Sequence, residues 1–158
     1  MATLLLICGL PGAGKTTLAR RLERERPALR LCPDEWILAI LRDPNDVTER
    51  DRLRSPVEAV QWELAKNALM LGNDVILEWG FWSRAERRQF RDEAVAIGAK
   101  TELYYLEVEK AELWRRLTDR NARRPPGTFP VAEAEFELWH SWFEPPGNEE
   151  QPVRIANR

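Results

Sequence analysis

Gly9-Leu10-Pro11-Gly12-Ala13-Gly14-Lys15-Thr16 decides the reading of this 158-residue chain. The octet fits G-x-x-x-x-G-K-[ST], and its surroundings match the pattern's requirements. Thr3-Leu4-Leu5-Leu6-Ile7-Cys8 before it is a continuous apolar run, as in a strand buried on both faces. Leu18 and Leu22, spaced by four, mark a helix from about residue 15 to 26 behind it, closed by Pro27. Glycines let the backbone curl so that successive N–H groups point at phosphate oxygens, and the helix N-terminus adds its positive dipole end. Gly9 to Thr16 therefore form a nucleoside triphosphate site. Lys15 reaches the β- and γ-phosphates, the Thr16 hydroxyl coordinates Mg²⁺, and Thr17 is a further phosphate contact.

Outward from the loop, strand and helix signals alternate. Leu29 to Cys32 reads as a short strand, followed by a loop at Pro33-Asp34-Glu35-Trp36. Ser55-Pro56-Val57-Glu58 has the form of a helix start, with Val57, Val60, Leu64, Ala68 and Leu71 on one face and Gly72-Asn73 as its end. Residues 74–80 form a strand and its exit, and Ser83-Arg84-Ala85-Glu86 is a capping box opening a helix to about Gly98. A strand over 101–108, helices over 110–124 and 131–143, and a short strand within 152–157 complete the chain. The alternation predicts a parallel sheet with helices on both faces in one domain spanning 1–158.

Composition narrows the chemistry. Apolar residues make up 44% and charged residues 32%, enough for a core within a soluble surface. Lys and Arg number 24 against 26 Asp and Glu, a formal charge of −2 that argues against non-specific coating of nucleic acid. One histidine, His140, excludes His-based metal clusters, and two cysteines, Cys8 and Cys32, exclude a four-ligand zinc site. No apolar run approaches the ~18 residues of a membrane span, and no leader pattern precedes Leu4, so the expectation is a cytoplasmic protein without a membrane partner. An Asn-Lys-x-Asp guanine motif is absent. The length suits a small-molecule kinase.

In an open parallel sheet, ligands bind beyond the carboxyl ends of the strands. Asp34, after the second strand, is the candidate base for an attacking hydroxyl, or else the cap of a helix starting near Glu35. Glu35 is its competitor. Glu78 follows Val75-Ile76-Leu77 on a central strand, where an acid needs a cation, metal-bound water, a substrate hydroxyl or a structural arginine. Arg116, Arg120 and Arg124 are spaced by four on one helical stripe ahead of Pro125-Pro126-Gly127. With Arg115 and Arg123 nearby and only Glu112 and Asp119 to oppose them, the segment at about 115–130 reads as a lid that places guanidinium groups on the transferring phosphoryl. Trp36, Trp79 and Trp82, with Phe81 and Arg84, sit where an aromatic wall for an acceptor would form, with core packing the equal alternative for Trp36 and Trp79. Trp62, Trp114, Trp139 and Trp142 read as core, and His140 as a surface or packing residue.

The chain resembles P-loop kinases of the small-molecule and polynucleotide kinase group, including chloramphenicol phosphotransferases, zeta-type toxins and ATP-binding proteins of the AAA_33 type. Glu112-Leu113-Trp114, Arg120-Asn121-Ala122-Arg123-Arg124 and Phe129-Pro130-Val131 carry the resemblance to the polynucleotide kinase lid, together with the phosphate loop and Asp34. It implies a three-layer α/β/α P-loop NTPase fold of the nucleoside and adenylate kinase type, with four to five parallel strands and a helical lid. It also implies ATP and Mg²⁺ as cofactors, Lys15 and Thr16 on phosphate and metal, Asp34 as base, and Arg120 and Arg124 as lid residues, Arg124 the better phosphate ligand. The activity implied is transfer of the γ-phosphoryl of ATP to a hydroxyl of a small molecule. A 5′-hydroxyl polynucleotide kinase and a non-catalytic ATP-binding switch are the alternatives. Polynucleotide kinases carry Arg three residues after the base; Ile37 stands there in this chain, which argues against a nucleic-acid acceptor.

Overall fold

A computed structural model describes residues 1–156. Asn157, the last residue of the expected final strand, lies outside them. Five strands, β1 (Thr3–Cys8), β2 (Ala28–Leu31), β3 (Asp74–Gly80), β4 (Lys100–Glu107) and β5 (Val153–Ala156), form one sheet in the order β2-β3-β1-β4-β5. Every pairing is parallel. Six α-helices cover the two faces: α1 (Lys15–Glu25), α2 (Pro33–Ile40), α3 (Val47–Met70), α4 (Arg84–Ala96), α5 (Lys110–Arg123) and α6 (Glu133–Trp142). This is the P-loop NTPase architecture.

Alternation along β1 feeds two cores. Leu4, Leu6 and Cys8 pack on one face with Trp62, Ala65 and Leu69 of α3 and Ala94 of α4. Leu5 and Ile7 pack on the other with Leu18 and Leu22 of α1, Leu113 and Leu117 of α5, and Phe136 of α6. All six residues of β1 are buried, as its continuous apolar run requires. Cys8 and Cys32 are unbridged, and burial pushes both thiols up to about 12.

Three expectations need correction. Pro33 to Trp36 is not a loop: Cys32 caps α2 and Pro33 opens it, so Asp34 and Glu35 occupy its first turn. Ser55-Pro56 is not a helix start. The helix begins at Val47, where the Asp46 side chain accepts from Glu49 N at 3.0 Å, and Pro56 lies inside it. The buried face of α3 consequently runs through Val57, Gln61, Trp62, Ala65 and Ala68, leaving Val60, Leu64 and Leu71 exposed. Finally, Trp142 is 57% exposed rather than core.

Candidate functional site

The phosphate loop is bound to the neighbouring strand exit by Gly9 N donating to Gly80 O at 2.9 Å. Within it, Leu10 and Ala13 are buried, Pro11 is half-buried, and Ala13 N donates to Leu10 O at 3.1 Å. Gly12 has φ 89°, and a Cβ there would stand 3.2 Å from both Leu113 O and Leu117 Cγ of α5. Glycine thus lets α5 approach the loop closely, and Arg116 adds a bond to Gly12 O at 3.4 Å. Lys15 Nζ donates to Leu10 O at 3.0 Å. Burial pulls its ammonium below the ordinary range, Asp34 and Glu78 pull it back up, and Arg120 adds to the fall. Lys15, Asp34, Glu78 and Arg120 therefore share one electrostatic environment.

Thr16 and Thr17 are exposed at the start of α1. The Thr16 hydroxyl donates to Glu78 Oε1, which leaves its lone pairs for a metal. Glu78 is buried at 5% exposure, and its other oxygen accepts from Arg30 Nη1 at 2.7 Å. Arg30 also reaches both oxygens of Glu35, at 2.9 and 3.0 Å. Glu78 thus stands behind the phosphate loop, and Glu35 is engaged by Arg30 and by Arg20.

Asp34 is half-exposed, and its Oδ1 accepts from Arg54 Nη2 at 2.5 Å. Arg54 escaped the sequence reading because α3 seemed to start after it. The Asp46-x-x-Glu49 pattern carried the missing signal. Beyond Arg54, Glu58 is partly buried, and its carboxyl rises to about 7 through burial, against the pull of Arg54 and with repulsion from Glu86 and Asp34. Ile37 is fully buried against Val57 and Phe129.

The lid departs from the expected stripe. Glu112, held down to about 2 by hydrogen bonds from Arg115 and Arg116, engages both, and Asp119 engages Arg123. Arg120 turns inward: burial pulls its guanidinium below the usual range against the attraction of Asp34. Arg124 leaves the stripe, because α5 ends at Arg123 and Arg124 takes a left-handed φ of 46°. Asn121 bonds both N and O of Val131, at 2.9 and 2.7 Å, fixing the turn behind the lid.

The expected aromatic wall does not assemble. Trp79 is 9% exposed, stacks on Phe81 at 5.7 Å and donates to Gln61 Oε1 at 3.0 Å. Trp82 donates to Gly9 O at 3.3 Å and packs on Trp139 behind the loop. Trp36 is partly buried between two core clusters. Arg84 pairs with Glu149 at 2.8 Å, tying α4 to the C-terminal segment. The β3 exit is sharp: Gly80 and Phe81 both have positive φ, and Phe81 O accepts from Arg87 Nη1 at 2.8 Å. Such a bend directs side chains at 79–82 back into the core.

A family model described as an AAA domain, AAA_33, matches residues 4–146. No curated protein matches the chain. Among solved structures, Kti12 from Chaetomium thermophilum in complex with ADP-AlF3 is similar with TM-score 0.71 and 22% identity, over 97% of this chain and 88% of that one. A gluconokinase from Sinorhizobium meliloti gives 0.65 and 16%, over 98% and 81%. The APS kinase CysC of Mycobacterium tuberculosis, in complex with AMPPNP and APS, gives 0.60 and 16%, over 98% and 88%. These likenesses are of fold.

Proposed function

The chain belongs to the AAA domain family AAA_33, and on that premise we propose that it is an ATP-dependent phosphotransferase acting on a hydroxyl of a small molecule. The observation that carries this reading is that Lys15, opening the helix after β1, and Asp34, opening the helix after β2, lie within electrostatic reach of each other and of Arg120 on α5. Lys15 and the backbone N–H groups of Gly12, Gly14, Lys15 and Thr16 hold the triphosphate. Arg54 occupies Oδ1 of Asp34, leaving Oδ2 to accept the proton of the acceptor hydroxyl. As that proton moves to Asp34, the hydroxyl oxygen bonds to the γ-phosphorus, the bond to the β,γ-bridging oxygen breaks, and ADP leaves. Arg120 faces the charge that develops on the transferring group.

The Thr16 hydroxyl and Glu78 carboxylate are hard oxygen donors that fit Mg²⁺, an ion that keeps several waters and takes few protein ligands. Thr16 and Glu78 would hold the ion, which would supply charge neutralisation to the triphosphate.

Ile37 supports a small-molecule acceptor over a polynucleotide, because its side chain is core rather than a phosphate ligand. The gluconokinase and the APS kinase share this fold and phosphorylate small molecules by name. An ATP-binding switch is favoured by one observation, the ion pair that already engages Asp34. γ-Phosphoryl transfer from ATP, scored over a panel of hydroxyl compounds, tests the choice. Asp34→Asn is expected to reduce transfer by about 10²- to 10⁴-fold with ATP affinity retained. Equal ATP turnover in both proteins excludes Asp34 as the base.

A further inference from the structure

A cavity of about 330 Å³ opens between the lid and α2, walled by Leu38, Asn45, Arg120, Arg124, Thr128 and Phe129 among others. Its position is informative. Leu38 lies one turn beyond Asp34 on α2, whereas no residue of the phosphate loop lines the cavity. Its polar wall is informative too. No carboxylate lines it. The Thr128 hydroxyl is spent on Pro125 O at 2.6 Å, and the Asn121 amide is spent on Val131. What remains are the Asn45 amide and, as the charged groups, two guanidinium groups. Arg120 Nε is buried without a hydrogen-bond partner, and among the described residues no carboxylate pairs with Arg124. Arg124 is also held in a left-handed conformation that a non-glycine residue adopts at some cost, with its N donating to Arg120 O at 2.7 Å.

A preformed concavity lined by two guanidinium groups and no carboxylate, with Arg124 lacking an acidic partner among the described residues, is an anion site. It lies on the acceptor side of Asp34. We propose that this cavity receives a carboxylate or phosphate group carried by the acceptor, with Arg124 as the residue that selects for it. The inference rests on the phosphotransferase reading and narrows its substrate to hydroxyl compounds bearing an anion. Leu38 lies one helical turn, about 6 Å, beyond Asp34, so an acceptor that meets Asp34 and reaches into the cavity is a polyhydroxy acid or a sugar-alcohol phosphate rather than a two-carbon acid. Arg124 then serves the acceptor, and Arg120 alone of this pair serves the transferring phosphoryl.

The test uses one six-carbon frame with four end groups: gluconate, sorbitol 6-phosphate, sorbitol and glucamine. With Mg²⁺ and ATP, gluconate or sorbitol 6-phosphate is expected to exceed sorbitol and glucamine at least tenfold in kcat/KM, and the better of the two identifies the anion. Arg124→Ala is expected to raise that acceptor's KM at least tenfold while the KM for ATP changes less than twofold, and Arg124→Lys to recover part of the loss. A preference for sorbitol overturns the proposal. So does a preference for glucamine, which would place the acceptor against Glu58 and Glu86 instead. A rise in the KM for ATP in Arg124→Ala overturns it as well, by returning Arg124 to the triphosphate. If no member is phosphorylated, calorimetry of the same compounds with protein in AMP-PNP and Mg²⁺ decides separately. Binding of an anionic member that Arg124→Ala abolishes sustains the cavity while the transferase reading falls, and binding of none overturns both.

Discussion

Arg30 on β2 donates to Glu78 on β3 at 2.7 Å, and the same guanidinium grips Glu35 on α2. Glu78 in turn accepts from Thr16 at the phosphate loop. One cation therefore joins the carboxylate behind the loop to the helix that carries Asp34. Its side chain is 12% exposed and that of Glu78 only 3%, so removing Arg30 leaves Glu78 a buried charge without its cation. Arg30→Ala is expected to cost about 3 kcal/mol in denaturant unfolding. An Arg30→Met, Glu78→Leu double variant is expected to cost markedly less than the sum of the singles, because no charge is left unpaired. Additive losses would show that the pair does not act as a unit.

Arg54 holds Asp34 from α3, but both side chains are substantially exposed, 38% and 42%. Solvent screens such a pair, so its contribution to stability is small, about 0–1 kcal/mol. Its consequence is orientation: with Oδ1 occupied, the carboxylate presents Oδ2 in one geometry. Arg54→Met is expected to lower kcat about tenfold or more with the KM for ATP unchanged. The unfolding midpoint should shift little, and Arg54→Lys should restore part of the rate. A loss of stability matching the loss of rate would make Arg54 structural.

Legibility followed the range of the physics involved. The phosphate loop was readable because its glycines, its lysine and its flanking strand and helix are contiguous, so local geometry alone specifies them. Asp34 was readable because ligands bind beyond the carboxyl end of its strand, and Glu78 because a carboxylate on a central strand is costly without a partner. Their partners were not: Arg30 and Arg54 reach them across β2–β3 and α2–α3, and chain spacing carries no trace of such pairings. Pro56 hid the first turns of α3 by imitating a helix start, although a helix tolerates proline where the preceding turn can relax. Arg124 looked like the next rung of an arginine stripe, and only the left-handed turn that ends α5 removes it.

Trp79 separates packing from recognition. It is wedged between Phe81 and Phe90, and its indole N–H is bound to the buried Gln61. Because an indole nitrogen only donates, the Gln61 oxygen must face it, which leaves Gln61 Nε2 without a partner. Trp79→Phe therefore removes the one bond the Gln61 side chain has among the described residues and is expected to cost about 1–3 kcal/mol, and Trp79→Ala about 3–5 kcal/mol. Acceptor KM is expected to stay within twofold in Trp79→Phe. A large KM change with little change in unfolding would restore the aromatic-wall role.

Glu58 gives the fold a pH dependence of calculable sign. Its carboxyl titrates near 7 in the folded protein because burial disfavours the charge, with Glu86 and Asp34 adding repulsion and Arg54 only partly compensating. In the unfolded chain it returns to about 4.5. Between those values the folded state binds the proton that the unfolded state has released, so stability is fully present below about pH 4.5 and declines as pH rises towards about 7. The decline from this group is at most about 3 kcal/mol. Glu86, raised in the same direction by burial, steepens it. Unfolding free energies measured from pH 5 to pH 8 are expected to fall across this window in the wild type. In Glu58→Gln they should fall less steeply, with the variant more stable than wild type at pH 8. A wild-type slope unchanged by Glu58→Gln would assign the pH dependence to other groups.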